Sequence, residues 1–304
     1  MDKKIIEEIF EKVKKEKTGG ALASYIPELK AQNPDDFGVS IVGDNFSYEI
    51  GNSRNPFTVQ SVSKVVILAL ALDENTFEEV EDKISFEPSS NPFNSIKDLE
   101  IKNANRPLNP FINAGAIATT SLIKGSYNEK FEKIVNLFEK LSGEEINLNE
   151  KVFRSEKKTG DRNRALAYYM KSTSILDLDE NIEKLLDVYF KTCSLSVNSY
   201  ILSKIGYVLS NSGFNQSGEK ILSSKLVKTL VATMALCGMY DESGKTSIQI
   251  GIPSKSGVGG GVLSVVPNKY GIGLYSPLLN EKGSSIKSFE FLKELSGKFD
   301  LSIY

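Results

Sequence analysis

The 304-residue chain predicts an α+β fold in which one antiparallel sheet, made by the two termini, carries an inserted helical layer. Two observations point there. Short alternating apolar runs that suit strands gather at the two ends, over residues 37–50 and again from 247 onward. Between them, residues 75–235 mostly show helical spacing of apolar side chains, broken by Asn-, Pro- and Gly-rich loops around 88–94, 103–110 and 159–163. The sheet-forming parts are then about 1–60 and 245–304 and the helical part about 61–244. Residues 1–304 are expected to form a single domain, because no repeat, low-complexity tract or linker divides them.

Each element has its own signal. Ile5, Ile6, Ile9, Phe10 and Val13 alternate with Glu and Lys, the mark of an amphipathic helix and not of a signal peptide. Gly19-Gly20 breaks that pattern, and Tyr25-Ile26-Pro27 follows as a short anchor. Residues 37–42 and 46–50 read as a hairpin around Gly43-Asp44-Asn45. Phe57-Thr58-Val59 leads into Ser61, from which a helix should run to about Leu72. Residues 178–189 and 198–209 are two more helices. Residues 248–252, 261–266 and 271–275 read as three consecutive strands, and 289–295 begins a closing helix.

Composition removes several classes of function. With 40% hydrophobic and 25% charged residues of both signs, and a net charge of -2, the chain has the balance of a soluble globular protein. No basic run interleaved with aromatics offers a nucleic-acid surface. The longest apolar stretch, 65–72, is too short to span a bilayer. The expected location is the cytoplasm, where Cys193 and Cys237 would stay reduced. Histidine is absent altogether, which rules out Ser-His-Asp and Cys-His catalysis and imidazole-based metal sites. A catalytic base must therefore be Lys, Tyr, Asp or Glu.

Ser61-Val62-Ser63-Lys64 places a hydroxyl and an amine three residues apart at the start of an apolar helix, where both share one face. Burial by Val65, Val66 and Ile67 would favour a neutral amine, and the helix N-terminus a developing alkoxide. Alone, the pattern is weak and more often marks a helix cap followed by a surface lysine. Lys255-Ser256-Gly257-Val258, followed by Gly259-Gly260-Gly261, strengthens it. A Lys-Ser/Thr-Gly triplet on an edge strand accompanies Ser-x-x-Lys in serine β-lactamases and penicillin-binding proteins. There the Val258 N–H could join that of Ser61 as an oxyanion hole. Ser126-Tyr127-Asn128 imitates the third element of that superfamily, but its place after Gly125 reads as a helix cap or loop in a polar turn.

The remaining motifs resemble the bacterial-type glutaminases, serine-dependent amidases with the β-lactamase-like fold. They are Tyr25-Ile26-Pro27, the segment 57–64, Glu87-Pro88-Ser89, Phe93-Asn94-Ser95, the segment 109–117, Ser155-Glu156, Thr159-Gly160-Asp161-Arg162-Asn163, Tyr189-Phe190, the segment 237–241 and the segment 253–258. Asn-Pro-x-Ile-Asn-Ala-Gly-Ala-Ile and Gly-Asp-Arg-Asn are the specific ones. The sequence departs from the family at Ser90-Asn91 and Asn105-Arg106, both in loops.

The resemblance implies hydrolysis of L-glutamine through acylation of Ser61, with Lys64 activating it and Tyr240 assisting proton transfer. Tyr25, Gln60, Asn113, Glu156, Asn163, Tyr189 and Val258 would bind the substrate together with Ser61 and Tyr240. It also implies no metal or organic cofactor and a homotetramer built from dimers. The residue chemistry agrees, because a free amino acid needs an acidic partner for its ammonium and neutral donors for its carboxylate. Each residue also has a plainer reading. Glu156 could lie on a solvated face, Asn113 could cap a helix, and Tyr189 and Tyr240 could be core residues. Asp161 and Arg162 could be a structural pair, and Cys237 an inert buried thiol. A β-lactam-acting enzyme and a non-catalytic amino-acid sensor are the rival functions.

Overall fold

Helix α1 (Lys3–Lys15) begins where the Asp2 side chain accepts from the Lys4 N–H, and it turns Ile6, Ile9, Phe10 and Val13 inward. The computed structural model describes residues 1–17, 19–100 and 106–304. Of the loop expected at 103–110, residues 103–105 lie outside the described part, as does the family departure at Asn105. Pro27 opens the short helix α2 (Pro27–Lys30). The hairpin follows as expected, β1 (Gly38–Gly43) against β2 (Phe46–Gly51).

A two-residue strand, β3 (Phe57–Thr58), precedes a tight 3-10 turn at Gln60–Ser63 and helix α3 (Lys64–Glu74). The helical body continues with α4 (Phe77–Lys83), α5 (Lys97–Glu100), α6 (Asn113–Leu122) and α7 (Tyr127–Ser142). After strand β4 (Asn147–Leu148) come α8 (Glu150–Thr159), α9 (Asp161–Ser172) and α10 (Ile182–Cys193). Strand β5 (Leu195–Val197) leads into α11 (Ser199–Ser210), α12 (Ser224–Cys237) and α13 (Ser243–Gln249). The last three strands are β6 (Ser254–Ser256), β7 (Gly261–Val266) and β8 (Tyr270–Tyr275), and α14 (Ile286–Phe299) closes the chain.

The main sheet is antiparallel throughout, in the order β2-β1-β8-β7-β6, so strands from the two ends meet where β1 pairs β8. Alternation on β7 divides its side chains between two cores. Val262 and Val266 face α1 and α14, while Leu263 and Val265 join the helical body. Helix α11 lies directly on β8 because two glycines leave room. A Cβ on Gly271 would collide with the backbone of Tyr207, and one on Gly273 with the Ser199 carbonyl.

Three expectations need correction. Residues 248–252 are not a strand: α13 runs to Gln249, Ile248 is 88% exposed, and Gly251 sits at φ +69°. The Thr246 carbonyl accepts from both Ile250 and Gly251, so the chain leaves the helix through a left-handed glycine before pairing begins at Ser254. The apolar alternation at 248, 250 and 252 is thus produced by a helix end, not by a pleat. The helix expected at 178–189 starts four residues later, where the Asn181 side chain caps Lys184 N, and Leu178 is exposed. Finally, the helical middle contains a small second sheet, ordered β3-β5-β4, whose strands of two or three residues are too short for a periodic signal.

Candidate active site

The second sheet positions the segment that carries Ser61. Phe57 pairs with Val197, Thr58 with Ser196, and the Val59 N–H donates to the Leu195 carbonyl at 2.8 Å. The turn 60–63 is therefore fixed against the end of α10, which carries Tyr189 and Cys193. Gln60 takes φ +47°, an unusual left-handed conformation for a non-glycine, immediately before Ser61. Its carbonyl accepts from the Ser63 hydroxyl at 2.6 Å, which holds the turn closed.

Lys64, the first residue of α3, is only 1% exposed, and no ion pair among the described residues involves it. Its Nζ donates to the Phe111 carbonyl at 2.9 Å and to Asn113 Oδ1 at 2.8 Å. Burial without a counter-charge lowers its pKa to about 7. Asn113 opens α6 and links several of the polar groups. The same Oδ1 accepts from the Tyr189 hydroxyl at 3.4 Å, and Nδ2 donates to Asn163 Oδ1 at 2.9 Å. The Ile112 backbone, not the Asn113 side chain, supplies the helix cap. Gly115, two residues on, lets the helix pack where a Cβ would strike the Asn109 carbonyl.

Glu156, on α8, is 7% exposed, so it is not on a solvated face. Its Oε1 accepts from the Tyr25 hydroxyl at 2.6 Å and from Gln60 Nε2 at 3.1 Å. Burial raises its pKa above the ordinary carboxylate range, and those two donors work against the rise. Tyr25 is 46% exposed overall, yet its hydroxyl reaches inward to both Glu156 and Gln60.

Tyr240 begins a single 3-10 turn at φ +55°, with its phenol near enough to the Ser61 hydroxyl to feel it electrostatically. Burial holds its phenol well above the usual range, with the Ser61 hydroxyl partly offsetting the effect. Opposite, Lys255-Ser256 lies on the edge strand β6, and the turn after it closes on Gly257 N–H to Gly261 O and Gly260 N–H to Gly257 O, both 2.9 Å. That arrangement leaves Val258 on the wall of a cavity of about 310 Å³.

The structure thus gathers the residues singled out from sequence. Tyr25, Gln60, Ser61, Asn113, Glu156, Asn163, Tyr189 and Val258 all line this cavity, while Lys64 and Tyr240 stand behind it. Phe93, Asn94, Thr159, Gly160, Arg162 and Cys193 line it as well and were not assigned to it. Five of them sit in motifs already visible as words, but nothing local to those words says that they face a ligand. Asp161 pairs with Arg164 at 3.3 Å, not with Arg162, whose Nε donates to the Asn94 carbonyl at 3.0 Å. Ser126 is a helix cap in a full capping box with Glu129. Cys237 is buried with its thiol pushed up to about 12 by that burial, so it stays protonated. Among the described residues no cluster of His, Cys, Asp or Glu could hold a metal ion.

The arrangement is a buried amine without an ion-pair partner among the described residues, three residues after a serine on the wall of a cavity that also carries a buried carboxylate. Comparison with known proteins decides the family. Residues 20–304 match the glutaminase family model. The chain belongs to the glutaminase family. It is 48% identical to the glutaminase of Clostridium tetani over 98% of both chains, and 46% identical to that of Clostridioides difficile over 100% of this chain and 99% of the other. Among solved structures it is similar to the probable glutaminase YbaS, with a TM-score of 0.94 at 34% identity over 100% and 99% of the two chains. A Bacillus glutaminase gives 0.89 at 33% identity, over 98% of each. The fold is accordingly the β-lactamase-like fold of the bacterial glutaminases.

Proposed function

We propose that the chain hydrolyses the side-chain amide of L-glutamine to L-glutamate and ammonia through an ester on Ser61, with Lys64 as general base. As a glutaminase-family member it is an amidohydrolase acting on glutamine. The serine route rests on one observation above all, the hydrogen bonding of Lys64. A neutral amine has two N–H groups and one lone pair. Both N–H groups are satisfied, by the Phe111 carbonyl and Asn113 Oδ1, so the lone pair remains for the Ser61 proton.

In this reading, Glu156 receives the substrate's ammonium, and Asn113, Asn163, Tyr25 and Tyr189 contribute polar contacts at its amino-acid end. Gln60 holds Glu156 in place while Ser61 and Val258 present backbone N–H groups to the carbonyl oxygen. Lys64 accepts the Ser61 proton as Oγ attacks the γ-carbon, and the oxygen becomes an oxyanion. When that intermediate collapses, the C–N bond breaks and the nitrogen leaves as ammonia with a proton delivered from Lys64 or through Tyr240. A water then attacks the ester, gives its proton to Lys64, and releases glutamate and the Ser61 hydroxyl.

The whole chain 1–304 is proposed to act as one catalytic unit, in the cytoplasm and as a homotetramer. No helix among the described residues is long and apolar enough to cross a membrane. The test is ammonia release from glutamine by Ser61→Ala and Lys64→Ala. The expected loss in each is at least about 10³-fold. Retention of more than a tenth of native activity in either, with the fold intact, rejects the assignment.

A further inference from the structure

Lys255 is given no part in the chemistry above, yet it is one of the most enclosed side chains in the molecule. It is 0% exposed, and no ion pair among the described residues involves it. Its Nζ folds back to donate to the carbonyl of Ser256, its own neighbour, at 2.6 Å. The amine sits 4.0 Å from the centre of the Tyr240 ring and 5.9 Å from that of Phe111. Lys64 Nζ lies 5.6 Å from the centre of the same Tyr240 ring, so two lysines flank one phenol within about 10 Å of each other.

The groups facing Lys255 contain no carboxylate that would hold it as an ammonium. They are Lys64 from α3, Tyr240 from its turn, Cys237 from the end of α12, and the Phe111 ring. An ammonium there would be buried against another amine with a ring face and a single carbonyl as its partners. Burial and Lys64 both push its pKa well below the usual lysine range. The side chain also lies between two elements of the site, since it packs against the Tyr240 ring and folds back onto the end of β6.

We propose that Lys255 is a positioning residue whose buried side chain braces the Tyr240 ring beside Ser61 by its shape, with no charge required. The proposal rests on the serine reading above and adds to it a residue that touches neither substrate nor reacting atoms. Its role is steric, so shape is required and charge is not.

The experiment compares Lys255→Met, Lys255→Ala, Tyr240→Phe and the double variant Lys255→Ala/Tyr240→Phe in the full chain, with kcat, KM and the pH profile of kcat/KM for glutamine. Met replaces the stem and leaves out the charge. It should hold kcat within about threefold of native and leave the acid limb where it is, because no cation has been removed. Ala should lower kcat about 100-fold with little change in KM, since a displaced phenol affects the chemical step more than binding. The double variant should fall no further than Tyr240→Phe alone. A Met variant as impaired as Ala, with a shifted acid limb, would show that charge is needed and overturn the proposal. So would losses that multiply in the double variant, or native kcat in Tyr240→Phe. Should the Ala variant fail to fold, the Met variant's rate and profile decide the matter alone. Failure of the serine reading itself is separate and visible as activity retained by Ser61→Ala.

Discussion

Asn113 shows how much one atom can carry. Its Oδ1 accepts from the amine of Lys64, so a carboxylate in its place would give the buried lysine a counter-charge. Asn113→Asp should therefore hold Lys64 protonated at neutral pH, lower kcat/KM at pH 7 by about 100-fold or more, and allow partial recovery toward alkaline pH. A variant with an unshifted profile would remove Lys64 from the base's role. Lys64 itself is costly to the fold. Its folded pKa near 7, against 10.5 for an exposed lysine, means that the unfolded chain takes up a proton that the folded chain refuses between those values. The cost is complete below pH 7 and fades as pH rises toward 10.5. Lys64→Met, though expected to be inactive, should gain on the order of 1 to 3 kcal/mol in urea unfolding at pH 6, less toward pH 10, after allowing for two lost hydrogen bonds. Glu156 follows the same logic with opposite charge, since burial raises its carboxyl and the ionised form is disfavoured above that raised value. Glu156→Gln should weaken glutamine, chiefly through KM and by about 100-fold or more, with no loss of melting temperature at pH 8.

At the scale of elements, what could be read from the sequence depended on length and on what each signal measures. The β1–β2 hairpin, β7 and α11 stand within a residue or so of expectation because each carries its apolar pattern over six residues or more. The second sheet was invisible because two- and three-residue strands have no period, although it is this sheet that pins the Ser61 turn to α10. Residues 248–252 misled because isoleucine at every second position also arises where a helix hands over to an extended segment. Gly271 and Gly273 carry a different message, that a helix crosses the strand at contact distance. Gly273→Ala puts a methyl against the Ser199 carbonyl, a backbone atom held in α11. It should cost about 2 kcal/mol or more and appear as a lowered urea midpoint, with the active-site chemistry affected only through stability. A midpoint equal to that of the native protein would mean that α11 does not press on β8 as described.

Over the whole molecule, the site is legible because residues far apart in the sequence come from elements with fixed partners. Ser61 and Lys64 follow β3, Asn113 opens α6, Glu156 lies on α8, Tyr189 on α10, and Tyr240 with Val258 flanks the edge strand β6. Motif words therefore identified most of the cavity wall, because each word is a helix start or a turn whose backbone is itself required. The words could not supply direction, and that is why Arg162 appeared as a partner of Asp161 and Cys193 as a reduced thiol without a place. Nor could they show that Lys64 and Lys255 share one phenol ring without a carboxylate between them. Assembly belongs to this scale too. Sedimentation equilibrium of the full chain should return the mass of four copies, and a monomer at micromolar concentration would refute the proposed tetramer.

The most direct measurement of the central claim is the pH profile of kcat/KM for glutamine hydrolysis, which reports ionisations of the free enzyme. An uncharged Lys64 as base predicts a single-proton acid limb with its midpoint at about pH 7. Activity maintained undiminished down to about pH 5 would mean that no amine of this kind activates Ser61.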